Sequence, residues 1–212
     1  MKETGLMFKA PLVRAILEGR KTQTRRVAKP VKHPDLGNLY TPGALLRGHE
    51  PQHVINRACP YGQPGDRIYV RETFSQHPEW GQLAFRADGE EFEDADGWLW
   101  EPKWQTSSHM PKDIARIWLE ITGVRVERLQ DISEADALAE GARFELASID
   151  SVRIGATASF LSGFRNIWES TGGDWDANPW VWVIDFKVLS TTAKPAQTCI
   201  RRITIASPGS TT

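Results

Sequence analysis

The seven residues that follow Gly19 are the densest run of potentially reactive groups in the chain. Arg20-Lys21-Thr22-Gln23-Thr24-Arg25-Arg26 interleaves cations with hydroxyls and an amide directly behind a predicted helix end. Loop residues held by a rigid element are favoured places for binding and catalysis. In an extended chain, side chains of like parity share a face. Arg20, Thr22 and Arg26 then point one way and Lys21, Gln23 and Arg25 the other, with the direction of Thr24 set by whether a turn intervenes. Two readings stay open for this run: a solvated basic loop, or a phosphate contact in which Lys and Arg neutralise the backbone of a nucleic acid.

Other motifs narrow the chemistry. His49-Glu50-Pro51-Gln52-His53 has the letters of H-E-x-x-H, in which a helix sets two histidines on one face for zinc. Pro51 sits between them, removing a backbone donor and clashing with the preceding turn. The match is read as accidental, and neither a metal nor another cofactor is expected. No G-x-x-x-x-G-K-[ST], G-x-G-x-x-G or G-x-S-x-G run occurs, so phosphate-cradling loops and the nucleophile elbow have no starting point. The two cysteines, Cys59 and Cys199, lie 140 positions apart, which excludes a disulfide framework or a C-x-x-C site and suits a reducing compartment.

With 212 residues, 40% hydrophobic and 25% charged, and a net charge of -1, the chain is long enough for one large domain with its own apolar core. Its charge is unevenly placed. Residues 1–32 hold nine Lys/Arg against two Glu, whereas Asp88 to Glu101 holds seven acids and no base and is expected to be a solvated loop. The nine tryptophans are expected in the core and pinning loops, the alternative being a platform for stacking bases. No run approaches 18 apolar residues and no leader is evident at Met1, so a cytoplasmic protein without membrane insertion is expected.

The elements that must position these groups follow from pattern. Leu6-Met7-Phe8 reads as a strand. Pro11 opens a helix with Leu12, Val13, Ile16 and Leu17 on one face, and Gly19 ends it. Arg67 to Phe74 alternates as a half-buried strand. Ile114 to Arg128 is the strongest strand signal, with a bulge at Gly123. Ser133 caps a short helix closed by Gly141. A helix over Ser159 to Ser170 carries Phe160, Phe164, Ile167 and Trp168 on one stripe, and Trp180 to Phe186 is a strand covered on both faces. Residues 28–64 and 75–111 read as insertions, the second with one strand at Leu83 to Ala87. Residues 190–212 read as a disordered Ser/Thr-rich tail, with an optional edge strand at Cys199 to Ile205. No internal repeat is evident. The predicted fold class is α+β, mainly β: a mixed β-barrel with short peripheral helices in a single domain, 1–189.

Four blocks in this order carry a family resemblance: Gly19-Arg20-Lys21-Thr22 with Thr24 and Arg26; Pro64-Gly65-Asp66-Arg67-Ile68-Tyr69-Val70; Asp131 to Gly141; and Val181 to Lys187. Together they resemble the ASCH domain, a PUA-like β-barrel, and the full-length pattern is similar to phage and prophage members. The resemblance implies one of two jobs. Some ASCH proteins resemble nucleic-acid-binding PUA domains, and a bacterial subgroup is an amidohydrolase that removes the acetyl group from N4-acetylcytidine. That subgroup's catalytic Lys, Thr and Glu match Lys21, Thr24 and Glu140.

A threonine hydroxyl needs an adjacent base, which a neutral lysine supplies where burial and cations such as Arg20, Arg25 and Arg26 lower its pKa. Glu140 would orient that lysine or water, or pass a proton to the leaving amine. Alternatively it keeps Lys21 cationic, as an oxyanion stabiliser. The reading is a metal-independent amidohydrolase for a modified pyrimidine nucleoside or base such as N4-acylcytidine, with Arg20, Thr22, Arg25 and Arg26 binding substrate or nucleic acid. The alternative is a non-catalytic RNA- or DNA-binding module for a modified base, and a weaker one is a ribonuclease.

Overall fold

The two segments with the strongest apolar alternation become the two longest strands, and they pair with each other. The computed structural model describes residues 1–89, 91–93, 96–97, 99–145 and 158–195. Along the chain run β1 (Glu3–Met7), α1 (Ala10–Leu17), β2 (Gln23–Val27), β3 (Val31–Lys32), β4 (Leu39–Tyr40), α2 (Pro42–Arg47), α3 (Gln52–Ala58) and β5 (Arg67–Arg71). Then come β6 (Phe74–Gln76), β7 (Leu83–Phe85), β8 (Phe92–Glu93), β9 (Leu99–Trp100), β10 (Trp118–Arg128), α4 (Glu134–Ala139), α5 (Phe160–Ser170) and β11 (Trp180–Ser190). A five-stranded sheet in the order β1-β5-β10-β11-β2 forms the centre, with only β1 and β5 parallel.

β11 shows why both faces of this sheet are covered. Its Trp182, Ile184 and Phe186 join a large core with Leu6, Phe8, Val13, Ile16, Ile68 and Leu119. Val181 and Val183 enter a second core with Leu129, Ala137, Phe164 and Trp168 from the α4–α5 side. Each fully buried aliphatic side chain contributes roughly 1.5–3 kcal/mol. The β10–β11 register slips between Ile121 and Gly123, where a Cβ on Gly123 would stand 2.8 Å from an Asp185 carboxylate oxygen. The predicted bulge is therefore also a close approach.

The class is α+β and mainly strand, with short peripheral helices, as expected. The sheet curls without closing its ladder: β1 and β2 are its two edges. A side chain spans between them, Arg26 donating to the Met7 carbonyl at 2.9 Å. Gly19 leaves α1 at φ +73°, and Ser133 accepts the Asp136 amide at the start of α4. Among the described residues no helix is long and apolar enough to cross a membrane. Residues 196–212, including the optional strand at Cys199 to Ile205, lie outside the described residues.

Residues 28–64 depart from the expected irregular excursion, because α2 and α3 deliver Leu45, Ile55 and Ala58 to the main core. The Cys59 thiol is pushed up to about 11 by burial there, which makes it an inert core group. Residues 75–111 form β7 as predicted, together with the short β8 and β9. Arg116 ties this segment to the sheet by clamping Glu72 at 2.9 and 3.0 Å and Asp88 at 2.8 Å.

Two turns share a short sequence pattern and one geometry. His33-Pro34-Asp35-Leu36-Gly37-Asn38 and His77-Pro78-Glu79-Trp80-Gly81-Gln82 close the β3–β4 and β6–β7 hairpins with one hydrogen-bond pattern. In both, the His amide donates to the carbonyl five residues on, at 2.8 Å, and the Gly amide donates back to the His carbonyl. Each imidazole Nδ1 accepts the amides two and three residues on, at 3.1 to 3.4 Å. The imidazole thus acts as the acceptor that Asp or Ser supplies in other turns. His33 is buried and His77 is not, so His33→Ala should lower stability by about 1–3 kcal/mol and His77→Ala by less. Urea unfolding checks this; an unmoved midpoint for His33→Ala would refute the capping role.

Candidate functional site

The site is assembled by backbone before side chains meet. After Gly19, the Lys21 amide donates to the Ala15 carbonyl at 3.0 Å, and Thr22 exchanges hydrogen bonds with Ala139 and Phe186. Lys21 and Glu140 face each other as an antiparallel bridge. Glu140 follows the last turn of α4, and Gly141 then turns at φ +84°. A Cβ on Gly141 would lie 2.9 Å from the Ala15 Cβ and 3.2 Å from the Lys21 Cβ, so glycine permits the approach.

The side chains then converge. Lys21 Nζ donates to Glu140 Oε2 at 2.5 Å, to the Glu140 carbonyl at 2.8 Å and to the Gln23 carbonyl at 2.7 Å. Three acceptors require three N–H donors, which is the ammonium form. Lys21 is only 1% exposed. Burial lowers its pKa below the ordinary lysine value, with the Glu140 charge and hydrogen bond pulling it back up. The other Glu140 oxygen accepts from Arg25 at 3.2 Å.

Arg25 in turn binds Glu127 through Nε and a terminal nitrogen, at 3.0 and 2.5 Å, and the Gln23 side chain at 2.5 Å. Arg125 extends the lattice to Glu127, Asp136 and Asp185 at 3.0 to 3.2 Å. Gln23 joins the same Asp136 and Asp185 at 3.0 and 2.6 Å. Three cations and four carboxylates, from β2, β10, α4, β11 and the Lys21–Glu140 bridge beside them, are thereby interlocked.

Thr24 pairs with Ile184 and lies on the opposite face of β2 from Gln23 and Arg25. Its peptide nitrogen is bonded to the Gln23 carbonyl that holds Lys21, but no hydrogen bond joins its hydroxyl to Lys21 or Glu140. Arg26 shares its face, with the guanidinium 5.0 Å from the Phe8 ring, and Lys21 Nζ is 5.9 Å from the same ring. Thr22 is exposed. Arg20 pairs with Glu18 at 2.5 Å and donates to the Gly141 carbonyl at 3.1 Å.

Two adjoining cavities lie between α1 and α5. The first, about 390 Å³, is lined by Lys9, Arg14, Arg20, Gly141, Arg143 and Glu145, among others. The second, about 500 Å³, is lined by Phe8, Lys9, Arg25, Arg26 and Trp168, among others. Lys9, Leu12 and Thr171 border both. Arg20 and Gly141, the chain neighbours of Lys21 and Glu140, form part of the first wall, and Phe8 and Arg26 part of the second. The buried pair thus lies one layer behind the groove.

Of the four binding residues read from sequence, Arg20 and Arg26 present charge to this groove. Arg25 also lines it, but its charge is met by carboxylates, and Thr22 lines neither cavity. Lys9, Arg14 and Arg143 were not singled out by motif; the first two belong to the basic segment 1–32, while Arg143 carries no local signal. At the H-E-x-x-H run, α3 begins only at Gln52, behind Pro51, and His49 precedes it at φ +53°. The helical geometry of that motif is absent. Among the described residues no group of three His, Cys, Asp or Glu is placed to hold a metal.

Lys21→Met would leave the buried Glu140 with Arg25 alone, and Glu140→Gln would leave Lys21 without its counter-charge. Each should lower stability by about 3–5 kcal/mol in urea unfolding, and Lys21→Met combined with Glu140→Leu should cost less than the two single changes summed. Strict additivity would show that the pair does not form.

Among solved structures, the chain is similar to an ASCH domain from Lactobacillus crispatus JV V101, at 14% identity over 89% of this chain and 80% of that one, with a TM-score of 0.36. It is also similar to a DUF984 protein from Enterococcus faecalis V583, at 13% identity over 92% of this chain and 86% of that one, TM-score 0.36. A scan of protein-family models finds no match, and neither does a search of curated proteins. The family named for the first of these structures is the one that the four sequence blocks resemble.

Proposed function

We propose that this chain is a hydrolase for the amide of an N-acylated pyrimidine nucleoside or base such as N4-acylcytidine, with Thr24 as nucleophile, Lys21 as its activator and Glu140 as the proton partner of Lys21. The observation that carries this reading is the 2.5 Å contact between Lys21 and Glu140, two buried charges 119 positions apart, beside the Thr24 peptide. Burying two such ions costs several kcal/mol each before their attraction is counted, and an apolar pair of similar size would stabilise the fold at least as well. A pair kept at that cost directly behind a cavity supports a chemical role.

The resting ammonium has no lone pair and cannot take a proton. Burial weakens the charged form, so one proton passes along the short contact from Lys21 to Glu140, leaving an amine and a carboxylic acid. The amine accepts the Thr24 hydroxyl proton as Oγ1 bonds to the acyl carbon. The carbon–nitrogen bond then breaks as Glu140 returns its proton to the leaving nitrogen, and water cleaves the acyl-threonine ester to release the carboxylic acid. Arg25 fixes the direction of the Glu140 carboxylate. Phe8 and Arg26 must shift to admit the acyl group, because Thr24 and Lys21 are covered.

Purified protein should convert N4-acetylcytidine to cytidine, followed by absorbance. Thr24→Val should abolish turnover, and Glu140→Asp should lower it by about 10²–10⁴-fold. The reactive amine and carboxylic acid together hold the same single proton as the resting ion pair, so the rate should fall as pH rises through the pKa of Lys21, which burial places below the ordinary lysine value and where the pair loses the proton that the leaving nitrogen needs. Folded wild-type protein that leaves the acyl group in place would defeat the proposal.

The groove favours one second reading, a binding module without turnover. Lys9, Arg14, Arg20, Arg26 and Arg143 line it, and a module of this kind would hold single-stranded RNA with an affinity that falls steeply with salt.

A further inference from the structure

The cations of this protein fall into two sets by the kind of acceptor that holds them. Lys21, Arg25, Arg116 and Arg125 face carboxylates, and their charge is cancelled locally. Around the groove the anchors are backbone carbonyls instead. Lys9 donates to the Ser170 carbonyl, Arg14 to that of Ala87 at 3.2 Å, and Arg26 to those of Arg25 and Met7 at 3.0 and 2.9 Å. Arg20 is intermediate, held by Glu18 and by the Gly141 carbonyl. A neutral acceptor fixes a side chain's direction without cancelling its charge, and a guanidinium so held keeps free N–H donors for an anion.

Arg143 completes the set. Its side chain makes no hydrogen bond or ion pair among the described residues, and its backbone is placed by α5. A Cβ on Gly163 would stand 2.0 Å from the Arg143 carbonyl oxygen, so glycine is what lets the helix press against this segment. The first cavity therefore carries Lys9, Arg14, Arg20 and Arg143 against one carboxylate, Glu145.

We propose that this first cavity is a phosphate subsite, and that the ligand is a nucleotide whose phosphate lies among Arg14, Arg20 and Arg143 while its base extends past Lys9 into the second cavity. The nucleoside half of this assignment rests on the proposed function; the phosphate half rests on the cavity. A single nucleotide, rather than a polymer, fits the surroundings. The first cavity holds about 390 Å³, the size of a small-molecule site, and Glu145 on its wall opposes a continuing polyanion there.

Binding of cytidine 5′-monophosphate, cytidine, inorganic phosphate and a short single-stranded oligocytidylate is to be measured by calorimetry on the full chain. The monophosphate should bind at least about tenfold more tightly than cytidine, as one or two charged hydrogen bonds allow, and inorganic phosphate should compete with it. Arg14→Gln with Arg143→Gln should remove that advantage and leave cytidine binding unchanged. Lys187→Gln, the same loss of charge at an exposed site paired with Glu120, should change nothing.

Equal affinity for cytidine and its monophosphate overturns the subsite. So does a Lys187→Gln effect as large as that at Arg14 and Arg143, since bulk charge would then explain the binding. Tighter binding of the oligonucleotide than of the monophosphate overturns the single-nucleotide assignment. Phosphate discrimination without deacylation of N4-acetylcytidine upholds the subsite and refutes only the catalytic reading, whereas deacylation without discrimination does the reverse.

Discussion

The contact between Lys21 and Glu140 is the constraint on which the rest of the molecule turns. It is a backbone bridge and an ion pair at once, so the end of α1, the start of β2 and the end of α4 cannot be moved independently. The bridge holds the charges in place, and the charges have no water to fall back on. A mobile surface pair would gain little from such a contact. Here the ammonium has three acceptors and the carboxylate two cationic donors, and the pair is tolerable only because nearly every lone pair and proton is met.

Arg25 makes that satisfaction possible. It links Glu140 to Glu127, and through the shared carboxylates to Arg125, Asp136 and Asp185. Lysine in its place would offer a point charge where the lattice needs a planar fork reaching two carboxylates and an amide. The cations of the groove have the opposite design. Lys9, Arg14 and Arg26 are held by carbonyls, so their charge is left to act on the cavities between α1 and α5.

Much of the scaffold was legible from residues alone, because it rests on local rules. The helix ended by Gly19, the cap at Ser133, the bulge at Gly123 and the doubly covered strand from Trp180 each follow from a steric or hydrogen-bonding requirement of a few neighbours. The meeting of Lys21 with Glu140 was legible only through a family resemblance, since no periodicity joins residues so far apart. The contribution of residues 28–64 to the core was not legible, because Leu45 and Ile55 sit in helices too short to show a period. The paired His-Pro turns escaped notice because six similar residues, 44 positions apart, make no statistical period. Their likeness becomes visible once two imidazoles are seen doing the same work.

The basic run after Gly19 shows most plainly what sequence order alone leaves out. Arg25 and Arg26 are adjacent and chemically identical, yet strand alternation sends them to opposite faces of β2. One faces Glu127 and Glu140 and is neutral in effect; the other faces the Phe8 ring and the Met7 carbonyl and keeps its charge. Thr24 lies between them and takes the face of Arg26. A composition count assigns the whole run to one basic patch, but the fold divides it into an internal lattice and a groove wall. Thr24 is buried on the side of Arg26, where its cross-strand partner Ile184 belongs to the main core, and the guanidinium beside it is held by carbonyls where that of Arg25 is held by carboxylates.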